Sequence, residues 1–94
     1  MADYLAFSDD DAAYESWVRA NPRGFVLNCL RSPNFRDSRV HRTSCYTISG
    51  SPANGKTWTS GQYIKVCSPS ATSLQTWLRA RVGQDSRRCG ICQP

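Results

Sequence analysis

Two short stretches constrain this chain more than any other. "VHRTSC" sets His41 and Cys45 four apart, and "RRCGICQP" sets Cys89 and Cys92 three apart near the other end. If these four side chains act together, the fold must return the last residues to the middle of the chain. Zinc selects four ligands in a tetrahedron from thiolate and imidazole. The two-residue gap of Cys89-Gly90-Ile91-Cys92 lets both sulfurs turn onto one ion, and Gly90 eases the turn. The His41-x3-Cys45 spacing places two more ligands on one side of a strand running into a turn. The expected metal set is therefore His41, Cys45, Cys89 and Cys92, a closed structural zinc site that uses the single histidine of the chain. With 94 residues, one domain spanning 1–94 is expected. A chain this short has a limited core, and a metal staple adds to it.

Five cysteines cannot all pair within one chain. The start, "MADYLAFSDDDAAYESW", is acidic, with neither a basic opening nor an apolar run, and no stretch is apolar enough to span a membrane. A cytoplasmic protein is expected, where thiols stay reduced and cysteine pairs hold metal more often than they form disulfides. "CGIC" also has the spacing of a redox pair, but such pairs open a helix after a strand, and Gln93 and Pro94 are not expected to open one, so metal is expected ahead of redox. Cys29 and Cys67 lie in apolar strands and read as small buried hydrophobes. Cys67 is the rival to His41 as fourth ligand.

A first helix is expected after Ser8, with Ser8 as cap, Asp11 as the acid of a capping box, and apolar pairs Ala13–Trp17 and Tyr14–Val18. "NPRG" (21–24) ends it. "GFVLNCLR" (24–31) reads as a buried strand, "SPNFRDS" (32–38) as a turn, and "RVHR" as a short strand. "CYTIS" (45–49) runs toward a further turn. "GSPANGKTWTSG" (50–61) is a loop, and "QYIKVCS" (62–68) a strand. A second helix follows, capped by Ser68 or Ser70, with Leu74, Trp77, Leu78 and Val82 on one face and Gly83 at its end. "QDSRR" is a polar link into the knuckle. The expected class is α+β, a small zinc-stapled domain with a short antiparallel sheet flanked by two helices.

Charge is unevenly placed. The net value is +5, yet five of the seven acids precede residue 16. From Arg19 on, twelve bases face only Asp37 and Asp85. Arginine's planar fork suits phosphate, and aromatics between arginines suit bases. The expected nucleic-acid contacts are Arg31, Arg36, Arg39, Arg42, Lys56, Trp58, Arg87 and Arg88, with Phe35 and Tyr46 interleaved and with Trp58 equally suited to the core. DNA is expected ahead of RNA, modified or damaged DNA in particular. The alternative is a protein partner met through the acidic first helix, with a purely structural zinc. No catalytic set is expected: the histidine is used, consecutive acids at 9–11 point to different sides of a helix, and "SPANGKTW" lacks the earlier glycine of a phosphate loop.

The ligand pair four apart, the strand "YIKVCS", the helix after it and the closing "CGIC" before Pro94 together resemble the N-terminal zinc domain of the Ada DNA-repair family. The resemblance covers roughly residues 41–94. It implies the zinc, a small α/β scaffold and contact with DNA. His41 stands where that family has its methyl-accepting cysteine, so its repair chemistry is not implied. The first forty residues have no counterpart in it.

Overall fold

The computed structural model describes residues 4–32, 38–45, 48, 58–59, 62–84 and 86–92. Its elements in chain order are β1 (Leu5–Phe7), α1 (Asp11–Ala20), β2 (Phe25–Leu30), β3 (Arg39–Arg42), β4 (Tyr63–Ser68), α2 (Ala71–Val82) and β5 (Arg87–Arg88). The five strands form one sheet in the order β1-β4-β2-β3-β5. The α+β class holds. The sheet is mixed, however: β5 runs parallel to β3, whereas the other neighbours are antiparallel.

The alternation of side chains along each strand divides the core in two. On one face the cross-strand row Leu5–Cys67–Val26–His41 lies beside the row Phe7–Lys65–Asn28–Arg39. This face packs with Tyr14, Trp17 and Val18 of α1, and with Ile48 and Trp58. On the other face Val66, Leu27 and Val40 form the matching row. It is covered by Leu74, Trp77 and Leu78 of α2, all buried, as their helical spacing predicts. The sheet is thus sandwiched between two helices, each supplying one apolar stripe.

The ends of α2 follow local chemistry. The Ser70 hydroxyl accepts from the Ser73 amide, so the cap is Ser70, and Gly83 closes the helix in the left-handed region at φ 78°. The start of α1 differs from expectation. Asp10, not Ser8, caps it, accepting from the Ala13 amide. Asp11 is not a capping-box acid. Its carboxylate reaches across to Trp58 and Thr59, accepting from both amides at 2.8 Å and from the Thr59 hydroxyl at 2.6 Å. Asp9 pairs with Arg31 at 2.8 Å. Each of the three consecutive acids therefore has its own structural partner. Gly24 follows α1 where the Trp17 ring crosses the backbone; a Cβ there would lie 2.8 Å from the ring.

Two strands go beyond what the sequence predicts. β1 occupies the approach to the first helix, and β5 lies within the polar link. Both are very short, and both lie at the edges of the sheet. The sequence signal for a strand, several alternating residues, does not fit into two or three positions. Most of the expected turn at 32–38 and most of the loop at 50–61 lie outside the described residues.

Candidate metal centre

The parallel pairing of β5 with β3 builds the centre. Arg39 lies beside Arg87 and Val40 beside Arg88. One residue further, the Cys89 amide donates to the Val40 carbonyl at 2.9 Å, which sets Cys89 level with His41. After Arg42 the chain turns, the Cys45 amide donating to the Arg42 carbonyl at 2.9 Å. That turn is anchored by Thr43, whose amide donates to the Gly24 carbonyl and whose hydroxyl donates to the Asn21 carbonyl. The knuckle after Cys89 then folds back over the strand. The Arg42 amide donates to the Cys92 sulfur at 3.2 Å, and the Ile91 amide to the Cys89 sulfur at 3.4 Å.

His41, Cys45, Cys89 and Cys92 converge, with one ligand atom from each lying within 4.8 Å of the others. Cys45 and Cys89 sulfurs are 3.9 Å apart. His41, Cys45 and Cys89 are buried and Cys92 is half-buried. The four residues could hold a metal ion. All five cysteines are free thiols, so Cys89 and Cys92 form no disulfide.

The electrostatics suit ligand duty. Burial, followed by the charges of Lys65 and Arg39, pushes the His41 imidazole down to about 4, so at neutral pH it presents a lone pair. Burial pushes the Cys89 thiol up, but the amides of Cys92 and Ile91, together with the Cys92 and Cys45 side chains, outweigh it and leave the thiol below its ordinary value. Burial pushes Cys92 up to about 11; the Arg42 amide opposes this, and the neighbouring Cys45 and Cys89 add to it. Three sulfurs crowded together favour protons on some of them, or a cation among them.

Cys67 is not part of this group. Val26 of β2 pairs with His41 on one side and with Cys67 on the other. Strands two apart in a sheet are separated by roughly 9–10 Å, too far for one ion. Cys67 is fully buried, and burial raises its thiol well above the ordinary value, which keeps it neutral. Cys29 is likewise fully buried and is raised to about 11. Both are core residues, as their strands suggest.

The basic residues divide more unevenly. Arg39, Arg42, Arg87 and Arg88 are exposed on β3 and β5, the strand pair that leads into the quartet. Arg42 is tied to the knuckle, its Nε donating to the Cys92 carbonyl at 3.0 Å. Arg31 is engaged elsewhere: two of its nitrogens reach the Asp9 carboxylate, and one also donates to the Thr59 carbonyl. Trp58 takes the core fate. It is 6% exposed, packs against Tyr14 and lies under the Lys65 ammonium, which leaves no open face for a base. Arg36, Lys56, Phe35 and Tyr46 lie outside the described residues.

Lys65 is a functional candidate that sequence reasoning misses. It is buried on the α1 face and donates to the Asn28 side chain and the Trp58 carbonyl, both at 2.8 Å. Burial pushes its ammonium down to about 8, against the pull of nearby Cys29, Asp11 and Cys67. A lysine inside the strand "YIKVCS" is the only local sign of it, and alternation assigns the position to a face without showing that the face is covered.

No helix among the described residues is long and apolar enough to cross a membrane. Comparison with protein-family models, with curated proteins and with solved structures finds no match.

Proposed function

We propose that this chain is a zinc-stabilised, non-catalytic module that binds nucleic acid, DNA ahead of RNA. The zinc part rests on the donor set. A Zn–S bond of about 2.3 Å places tetrahedral sulfurs about 3.8 Å apart, and the Cys45–Cys89 separation of 3.9 Å is close to that edge. Amide donors to two of the sulfurs are the outer support that thiolate ligands need. With three thiolates and an imidazole, zinc is favoured over magnesium or calcium, which select oxygen. The ligand spacing that resembles the Ada zinc domain supports the same reading.

The nucleic-acid part rests on one observation. The two strands that lead into the quartet, β3 and β5, carry four exposed arginines, and residues 38–45 and 86–92 include no acid. The non-catalytic reading is supported by the contacts of the candidates: His41 lies in the quartet, and Asp9, Asp10 and Asp11 each hold a structural contact. A protein partner is the second reading. The acidic start of α1, with Asp9 and Asp10 exposed, and Ile91, 58% exposed on the knuckle, are the surfaces it would use.

Elemental analysis of the purified chain tests the zinc, with one ion per chain expected. Titration of labelled single- and double-stranded oligonucleotides, with and without modified bases, at two salt concentrations tests the rest. Affinity should fall steeply with salt, by a log–log slope of roughly 0.9 per neutralised phosphate. No binding to any of them at low salt moves the function to the protein partner.

A further inference from the structure

A pocket of about 170 Å³ opens on the α2 face of the sheet, on the side of the β3–β5 strand pair opposite to the metal ligands. Its lining is Phe25, Val40, Ala71, Thr72, Gln75 and Arg88. The floor is apolar, formed by a half-buried aromatic ring, a buried valine and the alanine that opens α2. The rim is polar. Gln75 is already oriented, because its Oε1 accepts from the Ser86 amide at 2.6 Å. Arg88 is exposed and pairs with no acid among the described residues.

The sheet register brings a second arginine to the same face of the sheet. Phe25 is the cross-strand partner of Arg42, so both side chains leave the sheet on this face. Arg42 is the residue whose backbone and guanidinium are both held by Cys92. The knuckle therefore holds the Arg42 side chain on the Cys92 carbonyl at the edge of this face, and β5 supplies the arginine that lines the pocket, Arg88. An apolar slot with an aromatic wall and a cation at its mouth fits a flat, weakly polar ring attached to an anion.

We propose that this pocket receives one unstacked nucleobase, lying against Phe25, with Arg88 on a flanking phosphate. The proposal rests on the nucleic-acid reading above and adds where the strand is gripped. It requires the base to leave the stack, so it specifies single-stranded or locally opened nucleic acid. An intact duplex buries the ring that the pocket would take.

The test uses the whole zinc-loaded chain. The four deoxynucleoside 5′-monophosphates and inorganic phosphate are titrated separately, with amide NMR resonances as the readout. The nucleotides should shift Phe25, Val40, Ala71, Thr72 and Arg88 together, and inorganic phosphate should shift Arg88 only weakly. A single-stranded oligonucleotide is then titrated against two variants at exposed positions, with zinc content confirming the fold. Thr72→Trp fills the pocket and should weaken binding about tenfold or more, the range expected for one lost stacked base. Arg88→Gln should weaken it as well and reduce the salt slope by about one. Arg19→Gln, on the opposite helix, should have little effect. If the oligonucleotide binds but Thr72→Trp and Arg88→Gln leave its affinity unchanged, the pocket is not the grip and the broader reading survives. The pocket is likewise overturned, and the broader reading kept, if phosphate alone reproduces the nucleotide shifts. If no oligonucleotide binds, both are overturned.

Discussion

The two faces of the sheet are built by different chemistry. Beneath α2 the core is Leu27, Cys29, Val40, Val66, Leu74, Trp77 and Leu78, held by area removed from water. Beneath α1 the packing is interrupted by polar groups: the thiols and imidazole of the quartet, the Lys65 ammonium, and the Asp11 carboxylate clasping Trp58 and Thr59. The first face tolerates small errors, because dispersion and hydration are not directional. The second is held by bonds with fixed partners, so losing one partner strands another. A buried donor or acceptor without a partner costs about 1–3 kcal/mol. The α1 face should therefore respond to metal and pH, and the α2 face to changes in volume.

Metal removal should break this comparison most severely. Structural zinc in small modules is worth on the order of 10 kcal/mol. Chelation, or Cys89→Ser, should unfold the chain or leave the α1 side without fixed packing, as circular dichroism and amide exchange would record. If chelated protein keeps its melting transition, the quartet is no staple. His41→Ala should weaken metal retention, whereas Cys29→Ser and Cys67→Ser should not.

Next in size is Leu78→Ala on the other face. A fully buried leucine cut to alanine costs about 2–5 kcal/mol. The chain should melt earlier in denaturant while retaining its metal, since Leu78 does not touch the quartet's cluster. Metal loss at native conditions would show the two faces to be one cooperative unit.

Asp11→Asn sharpens the comparison further. Burial pushes this carboxyl up, but the Thr59 hydroxyl, the Trp58 and Thr59 amides and the Lys65 charge outweigh it and hold it below its ordinary 3.8. Its folded value thus lies under its unfolded one. The clasp's contribution is present above about pH 4 and is lost as the pH falls through the folded value. The variant should lose about 1–3 kcal/mol at neutral pH. It should also lose that part of the acid dependence, measured by denaturant melts from about pH 6 to about pH 2.5. A variant with an unchanged acid profile would show that the clasp contributes nothing.

The smallest effect should come from Arg31→Gln. The ion pair with Asp9 is exposed at both ends, at 41% and 65%. Pairs of this kind are worth about 0–1 kcal/mol. A larger loss in thermal melts would show that the bond from Arg31 to the Thr59 carbonyl matters more than the charge pair.

Short-range pattern carries a good deal of this molecule. β2, β3, β4 and α2 are legible because each has its own periodicity and punctuation, and "RVHR" matches β3 (Arg39–Arg42) residue for residue. The ligand quartet is legible because knuckle spacing is set by local geometry. Trp58 is ambiguous for a physical reason: an indole serves equally as core or as stacking surface, and only its neighbours decide. Asp11 misleads because an acid near a helix start has a ready local explanation, while its real partners, Trp58 and Thr59, lie on a distant segment.

Composition, spacing and periodicity are enough to state an α+β chain with two helices, three of the strands, and four residues able to share an ion. The elements depend on side chains within a few positions of one another, and so does each half of the ligand set, while the pairing of the two halves rests on the four donors that one ion takes. Only the tertiary structure shows that β5 runs parallel to β3, that Cys89 comes level with His41, and that Val26 separates Cys67 from the ligands. It also places the pocket beside Arg88 and the lysine over Trp58. Such facts depend on register between segments far apart in the chain, and no local pattern encodes the partner of an edge strand two residues long.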